Sequence, residues 1–213
     1  GRLDSAKKGL ELLLMEDYEE AKNLAQEIVD LNDARKNMTK EGVDRAINII
    51  DSTDINNDKI LVVYIPDIHE SLAGIVAGRV KEQYNKPTII LTKSEEGVKG
   101  SARSIEEYNM FEGLLACKEL LDKFGGHPMA AGLSLQEDKV DELRIALNNK
   151  CELTDEDLTR KIMIDSSLPL EYLNLHLIEE LNVLEPFGKG NSKPVFGVRD
   201  SKITKAMLLG KDK

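Results

Sequence analysis

Two stretches of this chain combine the residue types that hold an oxyanion. Phe124-Gly125-Gly126-His127-Pro128-Met129-Ala130-Ala131-Gly132 joins glycines, one imidazole and a small-residue tail. Upstream, Lys99-Gly100-Ser101-Ala102-Arg103-Ser104 adds hydroxyls and fixed cations. Backbone N–H groups left open by glycine, with a guanidinium and an imidazole, suit a phosphate. His127 could donate to a phosphate oxygen or move a proton near neutral pH. The other reading of His127 is a residue that caps a tight turn. Arg103 could clamp a phosphate bidentately, with Ser101 and Ser104 as hydroxyl donors and Gly100, Gly125 and Gly126 as points of close approach. Its alternative is a solvent-facing arginine on an edge strand.

Other titratable residues form weaker sets. Asp67, His69 and Glu70 precede a helix that carries Arg79. They could meet an anion or a metal, or His69 could cap the helix. His176 sits in a leucine-rich segment and reads as a surface residue. Three histidines in all make no zinc triad. Gly188-Lys189-Gly190-Asn191 lacks the Lys-Ser/Thr of a phosphate-binding loop and reads as a structured turn. Lys189, Lys193, Arg199, Lys202 and Lys205 form a basic strip near Phe187 and Phe196, few aromatics for base stacking.

The elements that must position these residues follow from periodicity. Residues 4–50 read as a helical spacer, with Asp17 as a cap three positions before Glu20 and the first glycine of that stretch after the cap at Gly42. Residues 60–65 form a buried strand, 72–84 a helix, 87–92 and 98–103 strands, 110–124 a helix, 133–135 a short strand after a Gly-Gly-His turn, and 136–148 a surface helix. That order is an α/β layer arrangement. Beyond residue 150, strands are expected at 162–165, 194–198 and 202–209, with a helix at 175–184. The domains are expected at 1–50 (connector), 51–150 (α/β domain) and 151–213 (linker and β-rich region).

The chain has 213 residues and a net charge of -10, an ordinary water-soluble composition that weakly opposes a nucleic-acid coat. Yet residues 186–213 are basic and the acidic excess lies in 136–185, so a nucleic-acid role survives. No apolar run is long enough to span a membrane. The start at Gly1 fits a piece of a longer chain. Cys117 and Cys151 read as buried free thiols in a reducing cytoplasm.

On these motifs the chain resembles the RecJ family of the DHH/DHHA1 phosphoesterase superfamily. The matching stretches are His69-Glu70 through Gly74-Ile75-Val76-Ala77-Gly78-Arg79, Lys99 through Ile105, Gly125-Gly126-His127 with Ala130-Ala131-Gly132, and Leu184 through Asn191 with Pro194-Val195-Phe196. Gly1-Arg2-Leu3-Asp4 resembles the end of the family's DHH domain. Ile68 stands where the family often has Trp, and Ser71 where it often has Gly.

The resemblance implies a DHHA1-type central sheet flanked by helices, a helical connector before it and a partial OB-like β region after it. It implies part of a 5'-to-3' single-stranded-DNA exonuclease of repair and recombination, inactive as this piece alone. In it, His127 assists at the phosphate. Arg103, Ser101, Gly100, Ser104, Gly125, Gly126, His69 and Arg79 bind substrate. Two Mn2+ or Mg2+ ions belong to a DHH domain outside this piece, which itself holds no metal. Implied partners are single-stranded DNA, that DHH domain, a helicase and a single-strand-binding protein. Alternatives are a phosphoesterase acting on short oligonucleotides or nucleoside bisphosphates, and a non-catalytic interaction module.

Overall fold

The structure is a computed structural model describing residues 3, 5–202 and 204–207. It divides into two compact units, Gly1–Arg160 and Lys161–Lys213. None of its described helices is long and apolar enough to cross a membrane.

The first unit opens with α1 (Lys7–Leu14) and α2 (Tyr18–Ser52). The helical stretch expected over residues 4–50 divides at Met15, which is extended. Asp17 then starts the second helix by accepting a hydrogen bond from the Glu20 N–H at 2.9 Å. Gly42 does not interrupt α2. A β-carbon there would stand 3.1 Å from Val76 Cγ2, so this glycine lets two helices approach. Only Gly42, Ala46 and Ile50 of α2 are buried, four residues apart on one face.

The sheet follows: β1 (Leu61–Tyr64), α3 (Glu70–Tyr84), β2 (Thr88–Ser94), β3 (Gly97–Arg103), α4 (Met110–Leu115), β4 (Lys123–His127), β5 (Ala130–Leu135) and α5 (Val140–Asn149). Strand order is β1-β2-β3-β5-β4, with β1 and β2 parallel and the other pairs antiparallel. Period-2 alternation sorts the apolar side chains into two cores. Val62, Ile89, Leu91, Val98, Ala102, Leu133 and Leu135 pack with Met110, Leu114, Leu143 and Leu147 of α4 and α5. Leu61, Val63 and Ile90 pack with Ala46 and Ile50 of α2 and Val76, Ala77 and Val80 of α3. Burial on both faces explains the continuous apolar run at the first strand.

Three expectations need correction here. The helix expected at 110–124 ends at Leu115, and Lys123 and Phe124 belong to β4. The Gly-Gly-His segment is strand, paired with β5 through Gly125↔Gly132, Gly126↔Ala131 and His127↔Ala130. The turn is Pro128-Met129. The helix expected at 136–148 is a 3-10 turn followed by α5, which buries Leu143 and Leu147.

The start of β1 is fixed by one side chain. Asn148 Oδ1 accepts from the N–H groups of Lys59 and Ile60, and its Nδ2 donates to the Ile60 carbonyl. Beside it, half-buried Arg144 pairs with Asp58 and Asp54, and these carboxylates hold its pKa above the ordinary arginine value. Cys117 is buried and Cys151 half-buried, both free thiols; burial pushes the Cys117 thiol up.

The second unit has β6 (Ser166–Ser167), α6 (Leu175–Asn182) and β7 (Phe196–Gly197), with β6 and β7 parallel. The strand expected at 162–165 lies instead at β6. The one expected at 194–198 shrinks to β7. Residues 202 and 204–207 form no strand, and 203 and 208–209 lie outside the described residues. Asn191 Nδ2 donates to the carbonyls of Leu184 and Pro186, which closes the expected turn at Gly188–Asn191.

Candidate nucleic-acid interface

Helix α3 packs over β2 and β3 and leaves the β5–β4 side of its own sheet face uncovered. A groove of about 500 Å3 lies there, lined by Glu70 and Ser71 of α3, Lys99 and Ser101 of β3, Lys123 and Gly125 of β4, and Gly132 and Ser134 of β5. Strand register sets its layout. Lys99 opposes Ser134, which opposes Lys123; Ser101 opposes Gly132, which opposes Gly125; Arg103 opposes Ala130, which opposes His127. The odd positions of β3 and β4 and the even positions of β5 share this face, because Val98, Ala102, Phe124 and Leu133 face the opposite core. The result is three cross-strand rows, about 7 Å apart along the strands. Cations or an imidazole stand at both ends of the outer rows, and the middle row carries only small side chains.

Each side chain is held by its local fold. Arg103 Nη1 donates to the Ala102 carbonyl at 2.7 Å, so the half-buried guanidinium lies against the sheet. It makes no ion pair among the described residues. His127 Nδ1 accepts from the Met129 N–H at 3.3 Å. That fixes the proton of the neutral ring on Nε2, leaving an outward donor. The turn-capping and phosphate-binding readings of His127 are therefore compatible. His69 is the N-cap of α3, with Nδ1 accepting from the Ser71 N–H at 3.3 Å and standing 2.7 Å from Ser71 Oγ. Lys99 bridges to Glu70 at 3.2 Å, both ends well exposed, a pair of the kind that contributes little to stability.

The glycines separate by role. Gly126 has φ +154°, and a β-carbon there would come 2.3 Å from the Ala130 carbonyl, so the backbone demands it. Gly100 is demanded by packing, since a β-carbon would stand 2.4 Å from Leu91 Cδ2. Gly125 meets nothing within 4 Å and has ordinary φ. The protein itself does not require a glycine at 125, and the groove floor is open there to a ligand.

Of the expected members, Arg103 and His127 form the end row of this face outside the groove lining, His69 caps α3, Gly126 falls on the opposite face with Ala131, and Ser104 and Arg79 stand elsewhere. Ser104 is 2% exposed and donates to the Tyr108 carbonyl at 2.7 Å, because it falls on the opposite face from Arg103. Arg79 points to the α2 side of α3 and pairs with Glu82 at 3.3 Å. Asp67 is held by Arg45 at 2.7 Å. Exposed His176 lies 3.6 Å from Glu180. Lys123, Ser134 and Ser71 join the groove unforeseen. Reading residues 123–135 as a hairpin, with Lys-x-Gly-x-His facing Ala-x-Gly-x-Ser, is the signal that finds the first two. Among the described residues, no three His, Cys, Asp or Glu side chains come close enough to hold a metal ion.

A mixed sheet ending in a Gly-Gly-His strand, with helices on both faces and a basic groove left open beside the N-terminus of α3, defines a DHHA1 domain. The family model of that name matches residues 57–153, and the RecJ OB domain matches 164–213. The single-stranded-DNA-specific exonuclease RecJ of Bacillus subtilis (strain 168) is 36% identical over 217 residues, covering 100% of this chain and 28% of that protein. The RecJ of Haemophilus influenzae is 33% identical over 223 residues, covering 100% of this chain and 39% of that one. The crystal structure of RecJ in complex with Mg2+ from Thermus thermophilus superposes with a TM-score of 0.80 at 29% identity, over 92% of this chain and 30% of that one. The chain belongs to the RecJ family and corresponds to its DHHA1 and OB region. It spans between 28% and 39% of the length of these two curated relatives.

Proposed function

We propose that this chain is the substrate-gripping part of a 5'-to-3' single-stranded-DNA exonuclease, a phosphodiester hydrolase. The observation that carries this is the three-row face. Arg103 with His127, and Lys99 with Lys123, place positive charge or an N–H donor at two levels, separated by a row bare enough for a backbone to lie close. Successive phosphates of one strand suit that layout, and the one aromatic residue at the groove, Phe124, packs its ring on Phe111 and the other core, so no run of bases has a stacking platform there. Arg103 supplies a fixed charge and His127 Nε2 a donor. Ser101 and the Gly125 backbone line the floor, and Glu70 keeps Lys99 beside α3.

Among the described residues, no cluster forms a donor set for a divalent ion. In this reading the hydrolytic site, with its Mn2+ or Mg2+, belongs to a DHH domain of the same protein, and this chain alone does not hydrolyse DNA. Residues 1–50 then act as the connector, 51–150 as the gripping domain and 151–213 as the linker and OB portion. A helicase and a single-strand-binding protein are partners of the whole enzyme on the same reading.

The test is fluorescence anisotropy of a 5'-phosphorylated single strand, at low and moderate salt, with duplex beside it. The wild-type chain is expected to prefer the single strand, and Arg103→Ala and His127→Ala to weaken it about tenfold and severalfold. Equal affinity of wild type and both variants would sink the reading.

A further inference from the structure

The outer side of α3 carries a second groove that the first does not use. It lies between α2 and α3, about 430 Å3, and is lined by Arg35, Lys36, Thr39, Lys40, Val43, Ile75, Arg79 and Gln83. Helix α2 is acidic over most of its length, yet residues 35–40 read Arg-Lys-Asn-Met-Thr-Lys, three cations without an acid. Arg35, Thr39 and Val43 recur every four residues along α2, as Ile75, Arg79 and Gln83 do along α3, so two helical ridges face one trough. Half-buried Arg35 rests its Nε and Nη2 on the neutral Asn32 Oδ1 at 3.3 and 3.1 Å, which orders the guanidinium without cancelling its charge. Lys40 has no ion pair among the described residues. Among the described residues, Lys36 and Arg79 pair with exposed Asp33 and Glu82 of their own helices, contacts that a stronger anion displaces at little cost.

We infer that this α2–α3 trough is a second binding site for the phosphate backbone of a nucleic-acid strand, continuing the path of the strand held in the first groove. The inference rests on the reading that the chain grips single-stranded DNA. From Ser71, in the first groove, to Arg79 is eight helical residues, about 12 Å, so one strand a few nucleotides longer reaches both. The trough floor is Val43 and Ile75, with no aromatic residue, so it reads backbone charge and not base sequence. Arg79, expected with the first groove, has its place here.

The test compares 5'-phosphorylated oligothymidylates of about four and about fifteen nucleotides by anisotropy across a salt series. The variant Arg35→Ala/Lys36→Ala/Lys40→Ala replaces exposed and half-buried helix positions with the best helix former, and circular dichroism checks its fold. It is expected to bind the long strand about tenfold more weakly, with a salt slope smaller by about two, and the short strand as wild type does. The charge-keeping variant Arg35→Lys/Lys36→Arg/Lys40→Arg is expected to keep long-strand binding. Unchanged long-strand affinity and slope in the alanine variant would overturn the trough, as would polyglutamate competing as well as DNA. If Arg103→Ala has no effect while the alanine variant loses the long strand, the first-groove reading fails and the trough stands. A wild-type chain that binds neither length at low salt overturns both.

Discussion

Arg103 and Gly74 share one small space: Nη2 of Arg103 lies 2.8 Å from the point where a β-carbon on Gly74 would stand, and Ser101 Oγ lies 3.5 Å from it. The absent side chain on α3 is what lets the guanidinium lie flat against the sheet. Gly74→Ala therefore separates stability from binding. The end of an arginine moves aside readily, and alanine favours the helix, so stability should rise by up to about 1 kcal/mol. Single-strand affinity should fall about tenfold as Arg103 leaves its place. Urea melts and anisotropy on the same preparation check both; unchanged affinity would show that the position of Arg103 is immaterial to binding.

The two adjacent glycines of β4 should respond in opposite ways. Gly126→Ala puts a β-carbon against the Ala130 carbonyl at a backbone angle that alanine resists, and should cost about 3 kcal/mol or more. Gly125→Ala meets open space, so its melting curve should match wild type or shift slightly upward, while the methyl in the groove lowers DNA affinity. Thermal melts of the pair, followed by binding of the stable one, decide the matter.

Asn148→Ala should cost about 2–4 kcal/mol, because it strands the N–H groups of Lys59 and Ile60 at the start of β1. Amide hydrogen exchange at those two residues should speed up more than at β4. Uniform acceleration across the sheet would mean that Asn148 has no local anchoring role.

Tyr84 gives the chain an alkaline limit. Burial first, then its hydrogen bond to Asp51 at 2.7 Å, pushes the phenol up to about 12. The neutral phenol is the form the fold favours. Its contribution is complete below the unfolded value near pH 10 and is lost as pH rises through about 12. In urea unfolding followed from pH 9 to 12, Tyr84→Phe should show a shallower decline than wild type. Parallel curves would remove Tyr84 as the cause.

What can be read from the residues and what cannot have a common physical origin. The Asp17 cap, the apolar strands and the helix carrying Arg79 follow from local signals: a side chain reaching its own helix, or a run buried on both faces. The Gly-Gly-His segment misleads because glycine lacks a side chain to show alternation, so a strand passes for a turn. Lys123 is lost with it, since Leu114, Leu115, Leu120 and Leu121 continue a helical spacing that the chain abandons after Leu115. The position of Ser104 depends on parity along β3, which places neighbours in sequence on opposite faces. The site at the groove is a property of register across three strands, and no single stretch of sequence contains it.

Strand β4 is the outer strand of its sheet, largely exposed, with one side of its backbone unpaired by any other strand among the described residues. Such a rim invites a second molecule to add a strand and begin an aggregate. Here it is five residues long, opens on a lysine, and holds Gly126 at a positive φ that residues with a β-carbon rarely adopt. The segment that presents a bare surface to a ligand is for that reason a poor template for another copy of the chain, and replacing its glycines with β-branched residues would invite self-association.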